Sequence, residues 1–305
     1  MPILGIMASQ ISGHLGNPDT WSTKTAMTTA RYYLTATTVG TSIYAIGGLD
    51  SGGNDLATNE AYDTTANTWS SKTSMTAARS YSSAAAVSTV IYVMGGGSAN
   101  YGTTTNYAYD TVANTWSTKA VITAARGLAT AQAVGTTIYL INGTDSAGTE
   151  QSTNYAYSTT GNTWSTKAAV ATANYNVSSG VVGNIIYILG GSGSGGSTRL
   201  TNNYAYDTVA NTYTTKTAIP IGIAQAAASA SGTIIYLIGG SGPTGSPATL
   251  NTNYAYDTVG NSWTTKATMT VAKHALATAA YNGKIYAIGG VPTTGVTATN
   301  YQYEI

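Results

Sequence analysis

Short runs of hydrophobic and β-branched residues follow one another along the chain, and turn-forming residues separate them. In the first complete unit, the run from Tyr32 to Val39 ends at a turn through Gly40-Thr41. The run from Ile43 to Ile46 ends at a glycine pair, and further runs follow at Asn59 to Asp63 and around Trp69. Runs of this length between turn residues are typical of strands. Since no stretch has helical periodicity, the pattern predicts a four-stranded antiparallel meander.

The same unit recurs along the whole chain. Its fourth run carries an aromatic residue at intervals of 47 to 50 residues, namely Trp21, Trp69, Trp116, Trp164, Tyr213 and Trp263. A glycine pair ends the second run in five units, and Asn142-Gly143 takes its place in the other. A fixed period of this size indicates units that cannot bury their apolar faces alone and must stack on one another.

Three features of the unit resemble the Kelch repeat. They are the double glycine after the second strand, a tyrosine such as Tyr62 in the third strand, and a tryptophan such as Trp69 seven residues later. The resemblance covers about residues 18 to 305. Kelch repeats form β-propellers in which each repeat is one four-stranded blade, so the resemblance implies an all-β, six-bladed propeller.

The two ends of the repeat region predict how the propeller closes. Asp19 to Lys24 reads as a fourth strand without the three strands that precede it, and Asn300 to Glu304 reads as a third strand without a fourth. Pairing the two ends completes a sixth blade and leaves no unfinished sheet edge. We therefore expect residues 1–17 to be a separate docking segment and residues 18–305 to form the propeller.

Composition narrows the function classes. Charged residues make up only 8% of the chain and the net charge is +1, which disfavours binding to nucleic acid or insertion into an anionic membrane. With no cysteine and only two histidines, the chain has no thiolate nucleophile and no histidine-rich metal cluster. We expect no cofactor, no metal and no enzymatic activity.

Connections between the second and third strands are long and differ in every unit, whereas the other connections within a unit are short. Because a meander alternates its turns between two faces, all the long loops are expected on one face, which is the candidate binding surface. The candidate ligand-binding residues lie at the start of the innermost strands on that face: Arg31, Arg79, Arg126, Lys273, Tyr32, Tyr81, Tyr175 and His274.

The four cations Arg31, Arg79, Arg126 and Lys273 fall on consecutive blades and are expected to form a basic crescent at the mouth of the channel. Kelch domains that capture acidic peptides use arginine at this repeat position, so the resemblance implies a mouth that binds anions. Arginine and tyrosine around a concave opening suit an acidic peptide or a glycan. The alternative is that these cations support the loops through backbone carbonyls, and the sequence leaves both open.

The N-terminal segment adds a second expectation. It carries an apolar patch at Ile3, Leu4, Ile6 and Met7 without the features of a signal peptide or a membrane span. Its Leu-Gly-Ile-Met-Ala-Ser-Gln-Ile-Ser-Gly stretch resembles the opening of some phage structural proteins. We therefore expect these residues to dock to other structural proteins of an assembly.

Taken together, these features predict a non-enzymatic recognition module on a virion fibre or another extracellular surface, which contacts a host glycan or protein. Two alternatives stay open: a cytoplasmic Kelch adaptor that binds an acidic peptide, and a purely structural decoration protein.

Overall fold

The computed structural model describes residues 18–97, 102–193, 195–243 and 249–305. Within these ranges the chain forms strands, turns and bends, and no helix. Six four-stranded antiparallel sheets are arranged so that each innermost strand contacts the innermost strands of both neighbours. The predictions of an all-β fold and of a six-bladed propeller are confirmed. The predicted docking residues Ile3, Leu4, Ile6 and Met7 lie outside the described residues, so their role stays a prediction.

Each blade runs from an innermost strand at the axis to an outermost strand at the rim. Blade 1 comprises β2 Thr35–Val39, β3 Ser42–Ile46, β4 Asn59–Asp63 and β5 Thr68–Lys72. Blade 2 comprises β6 Ser83–Val87, β7 Val90–Met94, β8 Asn106–Asp110 and β9 Thr115–Thr118. Blade 3 comprises β10 Thr130–Val134, β11 Thr137–Ile141, β12 Asn154–Ser158 and β13 Thr163–Lys167.

The remaining blades follow the same plan. Blade 4 comprises β14 Ser178–Val182, β15 Ile185–Leu189, β18 Asn203–Asp207 and β19 Thr212–Thr215, with a small hairpin of β16 Ser192–Gly193 and β17 Thr198–Arg199 in its loop. Blade 5 comprises β20 Ala227–Ser231, β21 Ile234–Ile238, β22 Asn253–Asp257 and β23 Ser262–Thr265. Blade 6 comprises β24 Ala277–Tyr281, β25 Lys284–Ile288, β26 Asn300–Glu304 and, from the other end of the chain, β1 Thr20–Lys24.

The closing strand β1 pairs with β26 as the two ends of the sequence predicted. Its register places Thr20 opposite Glu304, Trp21 opposite Tyr303 and Lys24 opposite Asn300. Blade 6 is therefore built from both ends of the chain, and the predicted closure is confirmed.

Strand register separates two faces of the propeller. In blade 1, Ile46 lies opposite Asn59, which lies opposite Lys72, and this row marks the face from which the long connections emerge. At the other ends of the same strands, Asp63 lies opposite Thr68. We call the first the loop face; its connections between second and third strands have 11 to 14 residues. We call the second the turn face; its connections have two or four residues.

The core lies between neighbouring blades. Tyr44 and Ile46 of blade 1 pack with Ile91, Val93 and Tyr109 of blade 2, and all five are buried. The second strands supply Ile-Tyr pairs to this core, and the third strands supply tyrosines. Adjacent residues of a strand can both be buried because they point to opposite faces of the sheet, and every sheet has a neighbouring blade on each face. Burial of each such side chain stabilises the fold by about 1.5–3 kcal/mol.

A polar latch repeats at the outer edge of every blade interface. In blade 1, the indole of Trp69 donates to the Thr25 carbonyl over 2.8 Å, and Asn67 Oδ1 accepts from the Tyr62 hydroxyl and from the Thr25 amide. The residue at the Asn67 position adopts positive φ in every blade, where asparagine is well tolerated. The equivalent residues are Asn114, Asn162, Asn211, Asn261 and, in the closing blade, Asp19.

A cyclic set of backbone hydrogen bonds joins the six innermost strands on the loop face. Two residues before each innermost strand, one residue donates its amide N–H to the carbonyl of the equivalent residue in a neighbouring blade, over 2.8 to 3.2 Å. We call these residues the mouth ring: Tyr33, Tyr81, Leu128, Asn176, Gln225 and Ala275. All six have φ between 49° and 57°, a left-handed conformation that is uncommon for residues other than glycine.

We expect the mouth ring to be essential for stability. Ala275→Pro removes the amide that donates to Gln225 and demands a negative φ, so it should lower the free energy of unfolding by at least about 3 kcal/mol. Ala275→Gly keeps the donor and tolerates positive φ, so its effect should stay within about 1 kcal/mol. Denaturant unfolding of both variants checks this, and equal stability of the two would contradict it.

The hydrogen bonds of Asp19 in the closing blade should make the stability of the protein fall at acidic pH. Hydrogen bonds from the Ala267 amide and the Tyr303 hydroxyl lower the pKa of Asp19. A carboxyl whose folded pKa is lowered contributes stability above its unfolded pKa and loses it as the pH falls through the folded pKa. Asp19→Asn retains the acceptor oxygen, so the variant should match the parent at pH 7 and lose less stability than the parent between pH 4 and 2.

Asp19→Ala is the control for this experiment, because it removes both hydrogen bonds and should be less stable at every pH. Urea unfolding at a series of pH values measures the three proteins. An unchanged acid dependence in Asp19→Asn would show that this carboxylate has no part in closure.

Candidate binding face

The four predicted cations occupy one repeat position, four residues before each innermost strand. We call it the shoulder position; it holds Arg31, Arg79, Arg126, Asn174, Ile223 and Lys273. The structure places the four cations on consecutive blades at the loop face, as predicted, but their side chains are at most 6% exposed. They therefore point into the blades rather than into the mouth.

Arg31 is held by main-chain carbonyls and by one carboxylate. Its guanidinium donates to the carbonyls of Ala45, Gly47 and Thr58 over 3.0 to 3.2 Å, and to Glu60 Oε2 over 2.7 Å. Both members of this ion pair are buried. Burial lowers the pKa of Arg31 to about 10, and the neighbouring Glu60 charge opposes that shift. Removal of either partner would leave an uncompensated buried charge.

Each of the other three cations contacts an aromatic ring at the repeat position that Glu60 occupies in blade 1. The second residue of the third strand is Glu60 in blade 1, but Tyr107, Tyr155 and Tyr301 in blades 2, 3 and 6. Arg79 and Arg126 have their Cζ atoms 5.0 and 4.9 Å from the centroids of the first two rings, and Lys273 Nζ lies 4.3 Å from the third. These are cation–π distances, so each buried charge has its own partner within the blade.

The main chain of the shoulder position joins neighbouring blades. The Arg79 carbonyl accepts from the Gly48 amide over 3.0 Å, and equivalent bonds link every neighbouring pair of blades. A Cβ at Gly47, whose φ is 63°, would lie 2.5 Å from the same carbonyl oxygen, which explains the glycine pair in the repeat. Asn174 and Ile223 make the same backbone contact, so the contact does not depend on a cation.

The predicted basic crescent is thus not an open anion-binding surface in this structure. Of the two interpretations that the sequence left open, the geometry favours the one in which the cations support the loops through backbone carbonyls. Direct contact between these four side chains and a ligand stays a prediction.

The predicted aromatic residues do lie at the mouth, and they are partly exposed. Tyr32, Tyr33 and Tyr81 form one cluster, with ring centroids 5.4 Å apart in the first pair and 4.4 Å apart in the second. Burial raises the pKa of Tyr81 to about 12, with smaller contributions from Tyr32 and from the Asp55 charge. The Tyr81 hydroxyl therefore stays protonated near neutral pH and can donate a hydrogen bond.

Tyr175 and His274 belong to a second group at the mouth. Burial raises the pKa of Tyr175; the Glu150 charge adds to the shift and the Arg199 charge opposes it. Burial, and then the Arg199 charge, lower the pKa of His274, whose Nδ1 lies 3.3 Å from the Thr249 hydroxyl. The imidazole is therefore neutral at pH 7.

Arg199 and Glu150 fasten loops of three neighbouring blades together. Glu150 Oε1 accepts from the Gly195 amide over 2.8 Å, which joins blade 3 to blade 4. Arg199 donates to the Gly196 carbonyl over 2.6 Å and to Ser241 Oγ of blade 5 over 3.0 Å. The sequence did not single out Arg199 because it lies in a loop without a repeat counterpart.

Below the mouth ring, the innermost strands enclose a channel with a volume of about 410 Å³, and the ring itself borders a smaller space of about 110 Å³. The channel is lined by small residues, mainly alanine, serine and threonine, with Gln132 as the largest polar side chain. Leu128, Asn176 and Gln225 line the smaller space, and sequence analysis did not identify them as mouth residues, because their left-handed conformation depends on contacts between blades.

Reactive clusters are sparse in the described ranges. There, no group of three or more His, Cys, Asp or Glu residues could hold a metal ion. The same part of the chain has no helix with the length and apolar character that a membrane crossing requires. The mouth offers phenol, amide and imidazole groups around a small opening, which can stack against and hydrogen-bond to a ligand.

Lys273 should make stability rise with pH. Burial lowers the pKa of its ammonium to about 7. Between pH 7 and about 10 the folded state then binds fewer protons than the unfolded state, so stability increases by up to about 1.4 kcal/mol per pH unit. Lys273→Ile introduces the residue that blade 5 has at the same position, Ile223, and should reduce this increase of stability with pH.

Thermal or urea unfolding between pH 7 and 9.5 measures the effect of Lys273→Ile. Lys266→Gln, at a partly exposed lysine in the same connection, is the matched control and should keep the parent slope. Parallel pH profiles for the parent and Lys273→Ile would contradict the assignment of this slope to Lys273.

Comparison with protein families gives a result consistent with this architecture. The Kelch motif model matches residues 30–76, 78–120, 173–217 and 223–270, which together span more than half of the chain. These ranges correspond to blades 1, 2, 4 and 5; blade 3 has Asn142 in place of the first glycine, and blade 6 is divided between the chain ends. A comparison with curated proteins finds no match. The chain belongs to the Kelch family, whose propellers typically serve as protein-interaction modules.

Proposed function

We propose that this chain is a non-enzymatic recognition module, displayed on an assembly such as a phage virion fibre, which contacts a host glycan or protein through the loop face. One observation carries the proposal: departures from the repeat are concentrated on that face. Turn-face connections have constant lengths of two and four residues, whereas the connections between second and third strands on the loop face vary from 11 to 14. A surface that differs from blade to blade can distinguish ligands, while a six-fold uniform one cannot.

The chemistry of the loop face supports binding rather than catalysis. At the mouth, tyrosine rings from blades 1, 2 and 4 surround the opening, and Asn176 and Gln225 add amide groups. Tyrosine combines a large apolar surface with a hydroxyl, which suits the stacking and hydrogen bonding of a sugar or a peptide. A nucleophile with an adjacent base, which catalysis would require, was not predicted from the sequence.

The alternatives make different demands on the same face. An intracellular adaptor for an acidic peptide needs accessible cations at the shoulder position, and the burial of Arg31, Arg79, Arg126 and Lys273 weighs against it. A purely structural decoration protein needs no particular mouth chemistry. Recognition of a glycan or protein by the aromatic mouth accounts for both the variation of the loops and the tyrosines at the mouth.

Recognition can be tested with the intact chain on a printed panel of glycans and on immobilised host-surface proteins. Tyr81→Asn removes the ring at the mouth but supplies a residue that blade 4 already accommodates at the same left-handed position, Asn176. We expect this variant to bind its best ligand at least about tenfold more weakly, since a buried aromatic contact contributes about 1.5 kcal/mol or more.

Val209→Ala, on the exposed turn face, is the matched control and should bind as the parent does. The proposal fails if no panel member binds, or if both variants bind equally well. Assembly is tested separately: Ile6→Asp with Met7→Asp should abolish incorporation into the particle and leave the unfolding transition unchanged. An adaptor would show no such loss.

A further inference from the structure

Charged residues that repeat with the blades are divided between the two faces. The outermost strand of each blade ends in a lysine or is directly followed by one, and this lysine lies opposite the first residue of the third strand and therefore on the loop face. These rim lysines are Lys24, Lys72, Lys119, Lys167, Lys216 and Lys266. The third strand ends in an acid on the turn face in five blades, and Asp19 directly precedes β1 there. The turn-face acids are Asp19, Asp63, Asp110, Asp207, Asp257 and Glu304.

All of the Asp, Glu, Lys and Arg residues lie in the described ranges, so each of these charged side chains can be assigned to one of the two faces. The loop side of the blades holds eleven basic and five acidic side chains, of which the four shoulder cations and Glu60 are buried, whereas the turn face carries six acidic side chains and one basic, Lys284. A net charge of +1 therefore conceals about +6 on one face and −5 on the other. Such a separation orients a molecule as it approaches a charged partner.

The basic character of the loop face is concentrated on one half. All five of its acids belong to blades 1 and 3: Asp50, Asp55, Glu60, Asp145 and Glu150. Glu60 is also the ion-pair partner of Arg31. Blades 4, 5 and 6 contribute Arg199, Lys216, Lys266, Lys273 and Lys24 to the loop face and no acid of their own, while Glu150 of blade 3 reaches the Gly195 amide at the edge of blade 4. We call these residues, apart from the buried Lys273, the basic sector.

We infer that the basic sector, together with the adjoining mouth, binds an anionic polysaccharide. This rests on the proposed recognition function and specifies its ligand. The accessible cations are the rim lysines and Arg199, and not the shoulder arginines that the sequence indicated. A chain of sugars with carboxylate or sulfate groups can span the three blades from the rim to the mouth and contact several of these cations. A single acidic side chain would contact only one of them.

Two neighbouring features favour a sugar chain over an acidic protein surface. Tyr175 and His274 lie at the inner end of the basic sector, and both are partly exposed. Aromatic rings stack on sugar faces, and the amides of Asn176 and Gln225 lie beside them at the mouth to accept or donate hydrogen bonds. The basic sector would supply the attraction, and the mouth would supply recognition of the sugar.

The attraction should depend strongly on salt. Exposed charges are screened beyond about 8 Å at physiological ionic strength, and separate surface ion pairs contribute little each. Several lysines that act on one polyanion increase the association rate together, and this gain falls as salt rises.

Binding of the intact chain to polygalacturonate, a polymer of acidic sugars, tests the inference by calorimetry at several NaCl concentrations. Lys24→Gln with Lys216→Gln and Lys266→Gln removes the rim charges of the basic sector and changes the net charge from +1 to −2. The matched control is Val112→Glu with Val209→Glu and Val259→Glu, which reaches the same net charge on the exposed turn face. We expect at least about tenfold weaker binding for the lysine variant and under about threefold for the control.

Four outcomes overturn the inference. Equal losses in both variants would show that only net charge matters. Equal binding of poly-glutamate would show that any acidic polymer suffices. Self-association at low salt that the lysine variant abolishes would identify the turn face of a second copy as the occupant. Binding of a neutral glycan that Tyr81→Asn weakens and the lysine variant leaves unchanged would overturn this inference while the recognition function stands.

Discussion

The rest of the structure depends on the hydrogen-bonded mouth ring. Six innermost strands can converge on one axis only if their ends are tied to one another, and in the mouth ring main-chain atoms make this tie. Each amide and carbonyl of the mouth ring is used in it, so these six hydrogen bonds do not depend on which side chains stand at the ring, although the Gln225 side chain also donates to the Tyr33 hydroxyl. That independence explains how Tyr33, Leu128 and Ala275 can occupy equivalent positions, and why the mouth can vary in chemistry while the propeller stays the same.

The shoulder position illustrates the same separation of main chain and side chain. Its carbonyl joins two blades whatever the residue, while a cation at that position must find a partner inside its own blade. Glu60 supplies a carboxylate for Arg31, and tyrosine rings supply the partners elsewhere. A buried charge of this kind is a poor ligand-binding group, because it would have to leave its partners to reach a ligand.

Sequence periodicity was sufficient for the number of blades, their strand order and the pairing of β1 with β26, since all three follow from local patterns and from the incomplete units at the ends. It was not sufficient for the direction of the Arg31 side chain. That direction depends on the left-handed turn at Tyr33 and on carbonyls from β3 and its loop, which are contacts between segments distant in sequence. The same holds for the basic sector, which emerges only when lysines from separate repeats are placed on one face.

The pairing of Thr20 with Glu304 at the turn face has a consequence for how the propeller can be held. Both chain ends, at β1 and after β26, leave the propeller side by side on the turn face at the perimeter of blade 6. A tether joined directly to residue 18 or to Ile305 therefore pulls from the face opposite the mouth. An anchor at either of these points, whether a partner or a solid support, leaves the variable loops pointing away from it and open to what approaches.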